Sequence, residues 1–218
     1  MKITWLNKDG NNDCILFFNG WGMDACVINH LETKGYDVCM LNDYKAIDSL
    51  KIEVSGYSKV YVVAWSLGVW AASCILDSLD LNITKAIAIN GTQMPVDLSC
   101  GIPPSVFENT YANWGETNRN RFNRRVLGGK VAFELDQHKL ASRDIEEQQV
   151  ELGIILGLVK EKKNINFCFD TALIGQDDLI FSPTNQWRFW KRKAMVVELK
   201  LPHYPFNYFK NWQQIISM

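Results

Sequence analysis

Apolar residues in this chain recur in short runs that are separated by turn-forming residues and by helix-like patterns. Runs that predict β-strands are found at Cys14–Phe18, Asp37–Leu41, Val60–Ala64 and Lys85–Ile89. After residue 66, apolar residues three and four positions apart predict a helix that packs on a sheet. This alternation predicts an α/β fold whose central sheet is mainly parallel and flanked by helices.

The first two strands are predicted to form a hairpin. The alternating segment Ile3–Leu6 is followed by the turn-rich residues 8–12 and then by the strand that begins at Cys14. Residues 46–54 are predicted to form a short helix or an irregular connection.

The second half of the chain changes character twice. Strand-like runs are absent from residues 95–163, where patterns such as Val150–Val159 predict helices. Strand-like segments return at Phe167–Ile174 and Ala194–Leu199, with a helix predicted from Ser182-Pro183 through Trp190 and a closing helix over Phe206–Ile216. We therefore expect a core formed by residues 1–94 and 164–218, with residues 95–163 inserted as a helical lid.

Composition narrows the class of protein. The 218 residues are 47% hydrophobic and 22% charged, with a net charge of −1, which excludes a disordered chain and a protein-wide basic field for nucleic acid. No amino-terminal leader pattern and no apolar run of membrane-spanning length is present, so we expect a cytoplasmic protein without a membrane partner. The six cysteines are scattered without a C-x-x-C pair; they are interpreted as small core residues, and no metal or cofactor is indicated.

Ser66 is the first candidate catalytic residue. The sequence Ala64-Trp65-Ser66-Leu67-Gly68 matches the G-x-S-x-G nucleophile elbow, with alanine in place of the first glycine. Such a turn between strand and helix exposes the serine hydroxyl. An ordinary buried turn between strand and helix is the alternative.

Further candidates follow other predicted strands. Residues 19–24 form a loop with two glycines, whose amides, together with the amide after Ser66, could hold a developing oxyanion. Asp177 and Asp178 follow a later strand, and His203 follows the last one. Serine, acid and histidine in this order are typical of the α/β-hydrolase fold.

Several motifs together are more specific than the elbow. They are FFNGWGMD at 17–24, VVAWSLGVW at 62–70, INGT at 89–92, GIP at 101–103, IGQDDLIFSPTNQ at 174–186 and PHYPF at 202–206. With them the chain resembles the BioG family of α/β-hydrolases over nearly its whole length. The resemblance implies a carboxylesterase of biotin synthesis that removes the methyl group from pimeloyl-[acyl-carrier protein] methyl ester.

The resemblance also implies roles for individual residues. Ser66 would be the nucleophile, His203 the base that later protonates the methanol leaving group, and the main-chain amides of Trp21 and Leu67 the oxyanion hole. Asp178 is chosen as the acid over its neighbour Asp177, because it stands three residues beyond the glycine that ends the strand. Asn19 replaces the histidine that often opens the oxyanion loop, which removes no reacting group.

Substrate contacts are predicted on two sets of residues. Aromatic residues that could line an apolar slot for the acyl chain, or simply belong to the core, are Trp21, Trp65, Phe107 and Trp114. Arginines that could dock the acidic acyl-carrier protein, or form a solvated helix face, are Arg119, Arg121, Arg124 and Arg125. So short a basic run supplies too few phosphate contacts for nucleic acid.

Two other functions stay open at this point. The same three residues would serve a thioesterase or a general short-chain carboxylesterase acting on a small acyl ester. A catalytically silent binding protein with the α/β-hydrolase fold is the third hypothesis.

Overall fold

The computed structural model describes residues 1–47, 52–77, 79, 81–140, 143–161 and 165–218. The strands are β1 (Lys2–Asn7), β2 (Asp13–Phe18), β3 (Tyr36–Asn42), β4 (Lys59–Trp65), β5 (Ile83–Ile89), β6 (Thr171–Gly175) and β7 (Met195–Leu199). The α-helices are α1 (Leu67–Leu76), α2 (Pro104–Ala112), α3 (Glu116–Val126), α4 (Lys130–Asp136), α5 (Ile145–Lys160), α6 (Pro183–Trp190) and α7 (Trp212–Ile216). Across these ranges every helix falls short of the length and apolar character that a membrane crossing requires.

The strands form one sheet in the order β1-β3-β2-β4-β5-β6-β7. Only β1, which pairs antiparallel with β3, departs from the parallel arrangement within the described residues. The predicted mainly parallel α/β sheet is therefore confirmed. The predicted hairpin is wrong: β2 lies between β3 and β4, so both of its edges are occupied and β1 adds to the outer edge of β3.

The central strands of the sheet are buried on both faces. Alternate residues of β2 point to opposite sides, with Leu16 and Phe18 in one apolar cluster and Ile15 and Phe17 in the other. Residues of α1, α2, α5 and α6 complete the first cluster, and residues of α3, α4 and α7 belong to the second. Near-continuous apolar runs are what a parallel sheet covered on both faces requires.

Between β5 and β6 the chain forms α2 to α5, in the region predicted as an inserted lid. The helix predicted over 150–159 is longer than expected, since Asp144 accepts hydrogen bonds from the amides of Glu146 and Glu147 and caps α5 one turn earlier. The predicted lid boundary at 163/164 lies outside the described residues, as do positions 48–51 of the predicted connection.

Three local predictions need correction. The predicted closing helix is a 3-10 turn, Phe206–Tyr208, followed by α7, because Asn211 caps a new helix through the amide of Gln214. The strand predicted over Phe167–Ile174 is shorter than expected, because residues 167–170 do not join β6.

The prediction that all six cysteines are core residues also needs correction. Cys14 and Cys39 are buried, whereas Cys26 and Cys168 are exposed and the other two are half-buried. Burial raises the pKa of the Cys14 and Cys39 thiols to about 12, so both stay protonated at neutral pH.

Candidate active site

Ser66 occupies the corner between β4, which ends at Trp65, and α1, which begins at Leu67. Its φ of 59° and ψ of −128° are rare for a residue with a side chain, and such strain costs about 1–3 kcal/mol. Gly68 permits the sharp corner, because a Cβ there would lie 2.2 Å from the carbonyl oxygen of Phe18. The sequence prediction of a serine at a strand-to-helix corner is confirmed.

Asp178 lies in the turn after β6 and accepts hydrogen bonds on both carboxylate oxygens. Its Oδ1 accepts the amides of Ile180 at 2.7 Å and Phe181 at 3.0 Å. Its Oδ2 accepts Gln186 Nε2 at 3.0 Å and lies 2.9 Å from His203 Nδ1. These contacts fix the orientation of the buried carboxyl group.

The imidazole of His203 connects this carboxylate to Ser66. With the proton on Nδ1 directed to Asp178, Nε2 is free to accept from Ser66 Oγ, which lies 2.9 Å away. Asp177 is exposed and makes no such contact, so the structure brings Asp178, not Asp177, to the histidine. A hydrogen-bond chain of this kind lets imidazole take the serine proton while the carboxylate stabilises the resulting cation.

Water has little access to these groups. Ser66 is 7% exposed, Asp178 4% and His203 1%. The ring of His203 stacks on Phe181 with centroids 6.0 Å apart and lies 5.5 Å from the ring of Trp65. In so dry an environment the electrostatic interactions among the three groups are stronger than they would be in water.

Asn90, directly after β5, holds the two loops that carry the acid and the histidine. Its Oδ1 accepts the amide of Gly175 at 2.6 Å, and its Nδ2 donates to the carbonyls of Pro202 at 3.0 Å and His203 at 2.9 Å. Trp65 Nε1 donates to the same His203 carbonyl at 2.8 Å. Sequence reasoning gave Asn90 no role, although a polar residue directly after a predicted strand was a usable signal.

Gln186 is a second residue that sequence reasoning missed. It is fully buried on α6 and donates both to Asp178 and to the carbonyl of Phe181. Its position within the IGQDDLIFSPTNQ motif was the available signal, but the motif alone does not show which side chain faces the carboxylate.

Two main-chain amides belong to residues that border the same space as Ser66. In the described part of the chain, neither the N–H of Trp21, in the loop 19–24, nor that of Leu67, at the start of α1, donates a hydrogen bond. The first amides of a helix lack partners within it, which makes the Leu67 N–H available to an anion. Gly20 lets the loop pack closely on the end of β4, since a Cβ there would lie 3.1 Å from the ring of Trp65.

A cavity of about 210 Å³ opens beside Ser66 and His203. Its lining is mainly apolar and includes Met23, Ile102, Val106, Phe122, Leu152 and Phe181. Of the predicted substrate-binding residues, those that line it are Trp21, Trp65, Phe107 and Arg125. Trp114 does not; it packs on Trp21, with ring centroids 4.5 Å apart, and supports the wall from behind.

The predicted arginines do not form one uniform patch. Arg119 is half-buried and donates to the carbonyl of Arg143 at 3.2 Å, so it is tied to the protein itself. Arg124 is exposed and lies over the ring of Phe133. Arg121 and Arg125 are exposed and line a second cavity of about 370 Å³ that shares residues with the first. Only Arg121, Arg124 and Arg125 therefore remain available to a charged partner.

The fold and the hydrogen-bonded serine, histidine and aspartate define a protein of the α/β-hydrolase class. A lipase-esterase related protein from Clostridium acetobutylicum ATCC 824 has the same fold, with a TM-score of 0.65 and 15% identity over 99% of this chain and 96% of that chain. A crystal structure of BioG from Haemophilus influenzae is much closer, with a TM-score of 0.92 and 32% identity over 99% of this chain and 100% of that chain.

The model of the family described as "Pimeloyl-ACP methyl esterase BioG" matches residues 1–215, and the chain belongs to this family. A protein of Haemophilus influenzae strain Rd, named "Uncharacterized protein", is 34% identical over 217 residues, 99% of each chain. "Malonyl-[acyl-carrier protein] O-methyltransferase" from Bacteroides fragilis strain 638R is 39% identical over 180 residues, or 83% of this chain. The match spans only 37% of that relative's length.

Proposed function

We propose that this protein is a serine carboxylesterase that hydrolyses the methyl ester of pimeloyl-[acyl-carrier protein] during biotin biosynthesis, releasing methanol. The observation that carries the proposal is the hydrogen-bond chain from Asp178 through His203 to Ser66, which ends in a narrow apolar cavity. The family to which the chain belongs supports the choice of substrate.

In the first half of the proposed reaction, Ser66 Oγ attacks the carbonyl carbon of the methyl ester. His203 Nε2 takes the serine proton, and Asp178 stabilises the imidazolium that results. The negative oxygen of the tetrahedral intermediate is bound by the N–H groups of Trp21 and Leu67. The C–O bond to the methoxy group then breaks, and His203 protonates the leaving group to methanol.

The second half regenerates the enzyme. The pimeloyl chain is now bound to Ser66 through an ester. His203 takes a proton from a water molecule, whose oxygen attacks the ester carbonyl, and the same two N–H groups stabilise the second tetrahedral intermediate. Ser66 leaves with the proton returned by His203, and the product carries a free carboxylate. Every step uses residues of this chain, without a cofactor.

The size and lining of the cavity support an unbranched acyl chain. Its volume of about 210 Å³ is below the range of about 300–1,000 Å³ that drug-sized ligands occupy. Its walls are formed by side chains such as Val106, Phe107 and Leu152, which offer contact but few hydrogen bonds. We propose that residues 95–163, which carry these three side chains, act as a lid over the reacting ester.

Two findings support a carrier-bound substrate. The Bacteroides fragilis relative, part of which resembles this chain, is named for methylation of a carrier-bound acid, a reaction whose product is a methyl ester. The arginines Arg121, Arg124 and Arg125 are exposed on α3, beside the cavity. Cations on one helix face attract an acidic carrier protein mainly by speeding its association.

Methanol release separates the proposed reaction from its alternatives. We expect the purified protein to release methanol from pimeloyl-[acyl-carrier protein] methyl ester, and to leave the thioester of unmethylated acyl-carrier proteins intact. A fluorophosphonate should label the wild-type protein and leave the Ser66→Ala variant unlabelled. Faster cleavage of thioesters than of the methyl ester would favour a thioesterase, and equal labelling of both proteins would contradict a Ser66 nucleophile.

The carrier contact is tested by charge reversal on α3. The double variant Arg121→Glu, Arg124→Glu should raise KM for the carrier-bound ester about tenfold or more and leave kinetics on a small methyl ester unchanged, because neither residue lines the cavity. Lys191→Glu, Arg192→Glu makes the same change in net charge at exposed positions after α6 and serves as the control. Equal effects on both esters would contradict the carrier contact.

A further inference from the structure

The loop that supplies the Trp21 N–H is held by helix α5 of the proposed lid. The indole Nε1 of Trp21 donates to the carbonyl of Gln148 at 2.8 Å. The side-chain Nε2 of Gln148 donates to the carbonyl of Gly22 at 2.9 Å, and the Gly22 N–H donates to Glu151 Oε2 at 3.3 Å. Because both polar groups of Gly22 are bound to α5, this helix fixes the backbone directly after Trp21.

Glu151 connects α5 to the same loop at two points. Its side chain is fully buried, and besides Gly22 it accepts the amide of Tyr44 on Oε1 at 2.9 Å and Arg143 Nη1 on Oε2 at 2.6 Å. The hydroxyl of Tyr44 in turn donates to the carbonyl of Asn19 at 2.7 Å. The loop 19–24 is therefore anchored at its beginning through Tyr44 and near its centre by Glu151 itself.

The backbone of Gly22 matches this contact. Its φ of +71° is in the left-handed region that favours glycine, and a Cβ there would lie 3.1 Å from Gln148 Nε2. A side chain at this position would strain the loop and push against the residue that binds its carbonyl. The conformation of the loop and the position of α5 therefore depend on each other.

The ion pair with Arg143 does not by itself account for a carboxylate at position 151. Burial raises the pKa of Glu151, although Arg143 and the amide of Tyr44 act in the opposite direction. A buried ion pair of this kind adds little net stability over apolar side chains of similar volume. An apolar residue at 151, however, would leave the amides of Gly22 and Tyr44 without an acceptor.

We propose that Glu151 and Gln148 are positioning residues that aim the Trp21 N–H at the oxygen of the reacting ester, so that oxyanion binding is complete only while α5 packs on the core. The inference rests on the proposed function, since it assumes hydrolysis at Ser66. It adds that the lid takes part in stabilising the transition state as well as in covering the substrate.

Glu151→Gln tests this coupling on a small ester, p-nitrophenyl butyrate. Glutamine keeps the shape but replaces one acceptor oxygen by an NH₂ donor, so either the amide of Tyr44, or both the amide of Gly22 and Arg143, lose their partner. Removing an oxyanion donor lowers kcat by about 10²–10³-fold. Displacing one should lower kcat about tenfold, with little change in KM. Glu147→Gln, exposed on the same helix, is the control and should keep wild-type kinetics.

A pair of inhibitors separates positioning from general damage. A trifluoromethyl ketone adds Ser66 Oγ to its carbonyl carbon and creates an oxyanion, whereas the corresponding alcohol does not. Glu151→Gln should weaken binding of the ketone about as much as it lowers kcat/KM, and leave binding of the alcohol unchanged. Gln148→Met removes the donor to the Gly22 carbonyl and leaves Glu151 and Arg143 in place. This variant should also lower kcat and weaken binding of the ketone. It decides the question if Glu151→Gln does not fold.

The inference is overturned if a folded variant keeps wild-type kcat and ketone affinity, or if ketone and alcohol lose affinity equally. Failure of the wild-type protein to release methanol from the carrier-bound ester would count against the proposed function, and would leave the comparison on p-nitrophenyl butyrate valid. A wild-type protein that neither hydrolyses the small ester nor binds the ketone would overturn both.

Discussion

Two buried aspartates lie at opposite ends of the parallel strands and accept similar sets of hydrogen bonds. Only one of them contacts the pair formed by His203 and Ser66. Asp178, at the carboxyl edge, accepts two main-chain amides, one amide side chain and His203. Asp37, at the amino end of β3, accepts the amides of residues 9–11, the side chain of Asn11 and the hydroxyl of Tyr57. Each is almost completely shielded from solvent.

What differs is the group that each carboxylate orients. Asp178 orients an imidazole whose second nitrogen reaches Ser66. Asp37 is bonded to a phenol whose pKa is raised by burial and by the bond to Asp37, so Tyr57 keeps its proton. Burial and a full set of hydrogen bonds therefore do not identify a catalytic acid. What distinguishes Asp178 from Asp37 is that one of its partners is a histidine that contacts Ser66, whereas Asp37 is bonded to a tyrosine.

The largest expected difference between the two aspartates concerns turnover. Asp178→Asn should lower kcat about 10³–10⁴-fold, because the amide favours the wrong tautomer of His203 and does not stabilise its cation. Asp177→Asn removes a neighbouring charge at an exposed position and should stay close to wild type. Methyl ester hydrolysis and thermal unfolding of both variants provide the comparison. A loss of activity in Asp177→Asn equal to that in Asp178→Asn would contradict the assignment of the acid.

The second prediction concerns stability. Asp37→Asn should lower the free energy of unfolding by about 2 kcal/mol, because it removes charge-assisted hydrogen bonds to the turn between β1 and β2. It should leave kcat unchanged, since Asp37 contacts no residue of the proposed active site. Urea unfolding measures the loss, with Asp9→Asn as the control, because that side chain is exposed while its amide still donates to Asp37. A large fall in kcat with unchanged stability would contradict this division of roles.

The smallest expected effect is a shift in pH dependence. Burial alone would raise the pKa of Asp37, but the hydrogen bonds from Asn11, Tyr57 and the amide of Asp9 lower it below its ordinary value. Its contribution to stability is therefore fully present above about pH 4, the pKa of an aspartate in an unfolded chain, and is lost as the pH falls through the lower folded pKa. The difference in unfolding free energy between wild type and Asp37→Asn should narrow below pH 4. A difference that stays constant down to pH 2 would contradict the lowered pKa.

The parts of the fold and candidate site that the sequence predicts are those with local signals. Buried parallel strands leave near-continuous apolar runs, and the polar residues that follow them mark the carboxyl edge of the sheet. Ser66, Asp178 and His203 each follow such a run, and their order along the chain links them. For that reason the residues that the structure brings together at 2.9 Å were identifiable before any geometry was known.

The parts that the sequence does not predict depend on packing between distant segments. β1 was expected beside β2, but its place was decided by the strands that occupy both edges of β2. In the sequence, nothing distinguishes Glu151 from the other charged residues of its helical segment. Its contact with Gly22 results from the packing of α5 on the loop 19–24. Trp114 and Trp21 read alike in the sequence, yet only Trp21 reaches the cavity.

The side chain of Asn90 makes the acid and histidine loops mechanically dependent. Since one amide group is bonded to Gly175 on one side and to the carbonyls of Pro202 and His203 on the other, a thermal displacement of either loop is transmitted to its neighbour. A displacement that both loops share leaves the distance between Asp178 and His203 unchanged. We therefore expect that distance to fluctuate less than the position of either loop relative to the sheet.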